Sequence, residues 1–200
     1  MIEIKQISKD SIPNVVLIHN SAFKNFFLTS LGDNFLKLYY NSVGNDDYGI
    51  LLGLYENEEL CGFCAATSRS KGFNSHLVKR NWVSFGFIGI QLIITRMPAL
   101  IRLVKNFTKN NPTLTDDGEY AELLSIGVSE DYQGKGIGKK LLLNLENELK
   151  EKGIKKLSLT TDYYNNDKAI QFYKGLGYNV FYDFIAYPDR RMYRMIKLIS

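Results

Sequence analysis

Residues 124–143 read Leu124-Ser-Ile-Gly-Val128-Ser-Glu-Asp-Tyr-Gln133-Gly-Lys-Gly136-Ile-Gly-Lys-Lys-Leu-Leu-Leu143 and decide the fold. An apolar run with strand character ends at polar residues, passes through a glycine-rich turn and enters an amphipathic helix. Glycines at alternate positions leave the turn without side chains, so its backbone N–H groups can approach a ligand closely. Because a helix N-terminus carries partial positive charge, the segment predicts a site for a phosphorylated cofactor.

Two common phosphate-binding loops do not match this turn. A nucleoside-triphosphate loop requires Gly, four residues and then Gly-Lys-Ser/Thr, but Gln133 and Lys140 stand where the first glycine and the hydroxyl belong. A dinucleotide-binding loop requires G-x-G-x-x-G, and Lys139 stands where its third glycine belongs. Both interpretations are therefore weak.

The pattern that matches is Gln-x-x-Gly-x-Gly, from Gln133 to Gly138. With it, the chain resembles the GNAT superfamily of acyl-CoA N-acyltransferases, whose cofactor loop is Arg/Gln-x-x-Gly-x-Gly/Ala between a strand and a long helix. A second segment, from Asn166 to Tyr178, resembles the same family's Asn-x-x-Ala-x-x-hydrophobic-Tyr-x-x-x-Gly-Phe/Tyr motif. The resemblance covers residues 48–70 and 118–186 well and residues 71–117 poorly.

The resemblance implies an α/β (α+β) fold with a central mixed, mostly antiparallel twisted sheet flanked by helices. It implies one domain over residues 1–200, with an insert at about 71–117 on the acceptor side that is helical around 81–105. It also implies acetyl-CoA (coenzyme A) as cofactor. The implied cofactor-binding residues are Ile126, Gly127, Val128, Gln133, Gly134, Lys135, Gly136, Ile137, Gly138, Lys139, Asn166, Ala169 and Tyr173.

Two catalytic roles follow from the same resemblance. Tyr173 would protonate the departing thiolate, and Glu122 would act as general base on the cofactor strand. Strand alternation predicts that Glu122 shares a face with Leu124 and Ile126. Two alternatives to Glu122 stay open: a solvated carboxylate paired with a lysine, or a water chain that carries the proton. The strand must also splay from its neighbour, so that Ile126 and Val128 keep free N–H groups for the thioester carrier.

Composition sets broad limits. The chain has 200 residues, 45% of them hydrophobic, and a net charge of +4, as expected for one globular domain. Its basic residues form no dense tract of the kind that binds nucleic acid. Met1-Ile-Glu-Ile-Lys5 lacks the features of a signal peptide, which predicts a cytoplasmic location.

The two cysteines, Cys61 and Cys64, form a C-x-x-C pair. Residues 60–66 have the pattern of a strand, in which residues three apart point to opposite faces. Because the sequence has no second cysteine pair and no histidine at ligand spacing, we expect buried structural cysteines rather than a redox pair or a metal site.

The remaining pattern predicts the element order β-α-α-β-β, then β-α-β-α-β-β. Strands are expected at 1–7, 48–55, 60–67, 120–128, 155–161, 178–187 and 191–198, and helices at 14–23, after 29–32, at 136–152 and from 166.

The segment from Trp82 to Thr95 carries no charge. It is shorter than the roughly twenty apolar residues of a membrane span, so a buried helix pair kinked at Pro98 is expected. An interfacial segment or a subunit contact, and hence a homodimer, is the alternative. Residues 105–115 are expected to form an exposed polar loop.

These features predict an N-acetyltransferase that transfers an acetyl group from acetyl-CoA to the primary amine of a small molecule, such as an amino sugar or an amino-acid derivative. A catalytically degenerate coenzyme A sensor or scaffold is the first alternative. A membrane-associated transferase anchored through residues 82–103 is the second.

Overall fold

A mixed β-sheet forms the centre of the molecule. The computed structural model describes residues 2–24, 26–108 and 116–199, with the backbone alone at 103, 104 and 106–108, and within them seven strands lie in the order β1-β2-β3-β4-β5-β7-β6. Only β4 and β5 are parallel. The strands are β1 (Ile2–Gln6), β2 (Gly49–Glu56), β3 (Glu59–Thr67), β4 (Ala121–Val128), β5 (Lys156–Asp162), β6 (Asn179–Ala186) and β7 (Arg190–Leu198). The expected mixed, mostly antiparallel sheet is confirmed.

Helices cover both faces of the sheet. They are α1 (Ile12–Ala22), α2 (Phe27–Ser30), α3 (Asp33–Gly44), α4 (Phe73–Arg80), α5 (Trp82–Thr95), α6 (Met97–Thr108), α7 (Ile137–Glu151) and α8 (Asp167–Gly175). Every strand and helix predicted outside the insert is present, with ends displaced by a few residues. The short α2 was not predicted, because a single helical turn leaves no periodic pattern.

The core has two apolar layers, one on each side of the sheet. On one side α1 and α3 contribute Val15 and Leu36, which are fully buried. On the other side α7 contributes Leu141 and Leu145, also fully buried. Because β2 and β3 are covered on both faces, they are almost continuously apolar rather than alternating.

A β-bulge in β3 changes the expected placement of the cysteines. Leu54 pairs with Gly62 and Tyr55 pairs with Leu60, so Cys61 is an extra residue between them. Cys61 and Cys64 therefore both pack in the α7 layer, which corrects the prediction that they point to opposite faces. Both thiols are free and buried, as expected of structural cysteines, and burial raises the pKa of Cys64 to about 12.

The insert departs from its prediction. Helix α5 ends before Arg96, and Pro98 lies in the first turn of α6, where its missing N–H is tolerated. Of the α5 side chains only Leu92 is buried, so the prediction of a buried helix pair is wrong. The expected loop at 105–115 begins as helix, because α6 continues to Thr108; residues 109–115 lie outside the described residues.

No individual helix in the described ranges has the length and apolar character needed to cross a membrane. The pair α4 and α5 would meet that criterion together, but it is bent by 95°.

Candidate active site

The cofactor strand separates from its neighbour near its middle. β4 and β5 pair only from Ala121–Leu157 to Leu123–Leu159, although β4 runs on to Val128 and β5 to Asp162. A cavity of about 570 Å³ lies where they diverge, lined by the edges of both strands and by α8. The splay that the sequence analysis required is therefore present.

The pairing of β4 with β3 determines which backbone N–H and C=O groups of β4 face the gap between β4 and β5. Ser129 donates its N–H to the carbonyl oxygen of Cys61 at 2.9 Å. In an antiparallel pair only every second residue bonds to the neighbouring strand, so Gly127 also bonds to β3. Ile126 and Val128 consequently direct their N–H and C=O groups to the open side. These are the two residues predicted to contact the thioester carrier.

The glycine-rich turn presents bare backbone. Gly134 and Gly136 have φ of +77° and +76°, a conformation that favours glycine. A Cβ atom at either position would meet no other atom within 4 Å, so both face open space. At Gly138 the nearest atom to such a Cβ would be 3.8 Å away. The turn therefore leaves room for a ligand against its main chain.

The amides of this turn are free to bind an anion. Across the described ranges, no acceptor is present for the N–H groups of Gly134, Gly136, Ile137, Gly138 and Lys139. They lie at or next to the N-terminus of α7, a helix of 15 residues, where the first N–H groups have no partner and the helix dipole is positive. The arrangement fits a diphosphate.

The polar side chains of the turn point to solvent. Gln133, Lys135, Lys139 and Lys140 are all exposed. The ammonium group of Lys135 lies 4.5 Å from the ring centroid of Tyr132. These lysines contribute positive charge near the amides. A ligand can make its close contacts with the backbone of the turn, because these side chains point away from it.

Tyr173 reaches the same cavity from α8. Its side chain lines the cavity beside Ala169, and its hydroxyl makes no hydrogen bond to any described residue. Burial raises the pKa of Tyr173 to about 12, so the hydroxyl stays protonated across the physiological range. A protonated hydroxyl without a partner is available as a proton donor.

Asn166 lines the cavity, and its side chain does not cap α8. Its amide donates to the hydroxyl of Thr161 at 2.6 Å and to the carbonyl oxygen of Asp162 at 3.2 Å. Both acceptors lie at the end of β5. The side chain therefore ties the start of α8 to the diverging strand and helps to hold Tyr173 over the cavity.

Four of the predicted site residues line the cavity: Ile126, Asn166, Ala169 and Tyr173. Gly127, Val128 and the residues of the glycine turn lie outside that lining, further along the chain, and Glu122 is outside it as well.

The β3–β4 register shifts at Leu124, so Glu122 and Leu124 face the α1–α3 layer while Ile126 faces the α7 layer. This bulge corrects the prediction of a shared face. The Glu122 carboxylate accepts from the hydroxyl of Ser70 at 2.5 Å and from Arg194 at 2.6 Å. Its role as general base stays a prediction.

An aromatic wall on the far side of the cavity was missed by the sequence analysis. Phe23, Phe26 and Phe27, from the end of α1 to the start of α2, line the cavity. The Arg102 guanidinium lies 5.1 Å from the ring centroid of Phe27 and donates through Nε to the carbonyl oxygen of Tyr187 at 3.2 Å. The cluster of phenylalanines after a predicted helix was the available signal.

Arg190 is the second arginine of this wall. Its guanidinium forms a bidentate pair with the carboxylate of Asp162 and lies 4.6 Å from the ring centroid of Phe26. Because Asp162 neutralises Arg190, the guanidinium of Arg102 is the one left without a carboxylate among the described residues.

His19 lies buried beneath the aromatic wall. The hydroxyl of Thr29 donates to the carbonyl oxygen of Phe23 at 2.6 Å, so it can only accept from Nε2 of His19, 3.2 Å away. Nδ1 of His19 then accepts from the hydroxyl of Tyr40 at 2.6 Å. Burial lowers the pKa of His19 to about 4, so the imidazole is neutral and its tautomer is fixed by these partners.

Comparisons with known proteins agree with this geometry. Residues 14–178 match the model of the acetyltransferase (GNAT) family. Over 81 residues the chain is 32% identical to the mycothiol acetyltransferase of Thermobifida fusca (strain YX), a match that covers 39% of this chain and 25% of that relative.

Two solved structures share the fold. The ribosomal-protein-S18-alanine N-acetyltransferase from Escherichia coli aligns with a TM-score of 0.64 and 18% identity, over 100% of this chain and 95% of that chain. The protein yncA from Salmonella typhimurium, solved with its cofactor acetyl-CoA, aligns with a TM-score of 0.60 and 15% identity, over 100% and 94% of the two chains.

The family match covers most of the chain, and the fold of its members is the fold described above. Acetyl-CoA is the cofactor that the family uses, and the open amides at the start of α7 fit its diphosphate. The chain therefore belongs to the GNAT family of acetyltransferases.

Proposed function

We propose that the protein transfers an acetyl group from acetyl-CoA to the primary amine of a small-molecule acceptor. One observation carries the proposal. Three kinds of group that acyl transfer needs lie close to the place where β4 and β5 separate. They are the open edge of β4, together with the amides at the start of α7 and the hydroxyl of Tyr173, for which the described part of the chain offers no partner.

The position of each group indicates its role in the reaction. The backbone of residues 134–139 would hold the diphosphate, and Ile126 and Val128 would pair with the pantetheine arm. Bound acetyl-CoA supplies an activated acetyl thioester. The N–H groups on the open edge of β4 would stabilise negative charge on the carbonyl oxygen during transfer. Tyr173 would donate its proton to the sulfur as the C–S bond breaks.

Two routes exist for the proton that the amine must lose. Glu122 is poorly placed to accept it, because its carboxylate lies outside the cavity lining and already accepts hydrogen bonds from Ser70 and Arg194. We favour release of the proton to water in the cavity. In this account Glu122 is a positioning residue, since it holds Arg194 within the sheet.

The cavity wall indicates what kind of amine it accepts. Phe23, Phe26 and Phe27 provide an apolar and aromatic surface, and Arg102 provides a cation that no described carboxylate neutralises. An acceptor with a ring or apolar body and an anionic group fits this surface. Amino-acid derivatives and nucleotide-linked amino sugars both meet this description.

Calorimetry with acetyl-CoA, together with a thiol-release assay over a panel of amines, tests the proposal. The panel should pair each anionic amine with a neutral analogue. We expect binding of acetyl-CoA and acceptor-dependent release of thiol, fastest with an anionic amine. Binding without thiol release for any acceptor would identify a coenzyme A sensor instead, and absence of binding would overturn both functions.

A further inference from the structure

Helix α5 is apolar on two opposite sides, and only one of them is covered. On the inner side Phe85, Ile88 and Leu92 pack on the core, with the rings of Phe85 and Phe35 6.1 Å apart. A surface helix of a globular protein normally places polar residues opposite its buried side. Helix α5 instead has apolar residues there, and no described residue covers them.

The outer side is strongly exposed. In α5, Trp82 is 71% exposed, Phe87 72%, Ile90 59% and Ile94 79%. Phe87, Ile90 and Ile94 follow a spacing of three and four residues, which places them on one face of the helix. Met97 and Ile101 are exposed at the start of α6. We call these six residues the outer apolar face.

The segment that carries this face contains no acidic residue. Every charged residue between Glu59 and Asp116 is a lysine or an arginine. Lys79, in the last turn of α4, is exposed. Arg96, between α5 and α6, turns toward α2 and donates to the carbonyl oxygen of Ser30 at 2.7 Å, in a pocket that Asp33 also lines. A partner that is apolar at its centre and anionic at its rim suits this basic segment best.

A second copy of the chain is a poor match for that rim. In a two-fold dimer the same patch meets itself, so the basic residues would face one another. The interface of an anionic bilayer offers hydrocarbon below and negative headgroups above. An amphipathic helix with tryptophan, phenylalanine and isoleucine on one face and basic residues beside it is typical of segments that lie in such an interface.

We propose that the outer apolar face of α5 and α6 binds the surface of a membrane that contains anionic lipids. Helix α5 has 14 residues, fewer than the roughly twenty of a spanning helix, so it lies in the plane of the interface. The surface is independent of the acetyl-transfer chemistry. Because α6 also contributes Arg102 to the cavity, the acceptor side of the cavity would lie near the headgroups.

The sequence provides its own reporter, because Trp82 is the single tryptophan. The full chain would be titrated with vesicles of phosphatidylcholine and phosphatidylglycerol, and with vesicles of phosphatidylcholine alone. We expect the Trp82 emission to shift to shorter wavelength and the protein to sediment with the anionic vesicles. Binding should weaken about tenfold or more at high salt, because the attraction of basic residues to the headgroups is screened.

Two double variants distinguish binding through the outer apolar face from binding through any exposed apolar side chain. Phe87→Ser with Ile94→Ser removes two exposed apolar side chains from the outer apolar face. Leu17→Ser with Leu143→Ser removes two exposed ones from α1 and α7. We expect the first pair to lower the vesicle partition coefficient about a hundredfold or more and the second to leave it unchanged. Melting temperature and affinity for acetyl-CoA should stay the same in both.

Three results would overturn the proposal. The first is an unshifted Trp82 emission with both kinds of vesicle. The second is equal binding by the two pairs of variants. The third is a concentration-dependent dimer in which Trp82 is already shielded without vesicles, which would assign the face to a second copy of the chain.

Discussion

Leu123 and Leu159 form the last rung between β4 and β5, and beyond them the two strands diverge. The glycine turn follows directly after β4, and α8 follows soon after β5. The divergence therefore places the open edge of β4 and Tyr173 at one cavity, and the amides of the turn lie just beyond the end of the same strand.

The first prediction concerns Gly136. Gly136→Glu should lower the affinity for coenzyme A about a hundredfold or more, because a carboxylate would stand beside the amides that would hold the diphosphate. Gly153→Glu is the matched control: its φ of +75° and its open surroundings equal those of Gly136, but it lies just beyond the opposite end of α7. Both variants carry a strain of about 1–2 kcal/mol. Equal affinities by calorimetry would refute the loop assignment.

The second prediction concerns Tyr173. Tyr173→Phe should lower kcat about a hundredfold or more, the usual contribution of a general acid, with little change in affinity for acetyl-CoA. The melting temperature should not fall, because the hydroxyl bonds to no described residue. Tyr178→Phe is the control, since it removes the hydrogen bond to Glu146 and should lower stability without affecting kcat. Wild-type turnover in Tyr173→Phe would remove this residue from the mechanism.

The third prediction separates the two routes for the amine proton. If Glu122 were the base, Glu122→Gln would abolish the acid limb of the pH–rate profile. We expect the limb to remain and the melting temperature to fall, because the variant weakens a mostly buried ion pair with Arg194. A lost acid limb with an unchanged melting temperature would establish Glu122 as the base instead.

The fourth prediction concerns the acceptor. Arg102→Gln should raise KM for an anionic amine about tenfold to a hundredfold and leave KM for its neutral analogue unchanged, because only the first would pair with the guanidinium. Thiol release over matched pairs of amines measures the effect. An equal change for both members of each pair would show that Arg102 acts through packing rather than charge.

The fifth prediction concerns stability against pH. The pKa of His19 is about 4 in the folded protein and about 6.5 when unfolded. The unfolded chain therefore binds a proton first as pH falls, and stability declines between these values by up to about 3 kcal/mol. Denaturant unfolding of wild type and of His19→Gln checks this. The variant should lose stability less steeply between pH 6.5 and 4, and parallel curves would contradict the account.

The sequence predicted the parts of the fold that depend on local pattern. The strand, turn and helix around Gly136 follow one another in the chain, and each has its own signature. The bulges at Cys61 and Leu124 were not predictable, because they depend on how a strand pairs with its neighbours. As a result, Ile126 was wrongly assigned to the face that Glu122 and Leu124 share.

The acceptor side required the three-dimensional structure for a different reason. Phe26, Arg102 and Arg190 come from distant parts of the chain and meet only in the folded protein. The outer face of α5 shows a related limit: the apolar content of Trp82 to Thr95 predicted burial, but the pattern contains no information on what covers each side. The spacing of apolar residues shows which side chains share a helix face, but only the contacts in the folded protein show whether that face is buried.

The most direct test of the central claim follows the backbone amides of the turn during titration with coenzyme A. In amide NMR spectra of isotopically labelled protein, the signals of Gly134, Gly136, Ile137, Gly138 and Lys139 should show the largest shifts. Amides elsewhere on α7, such as that of Glu151, should move little. Saturable binding with these five signals unmoved would contradict the account.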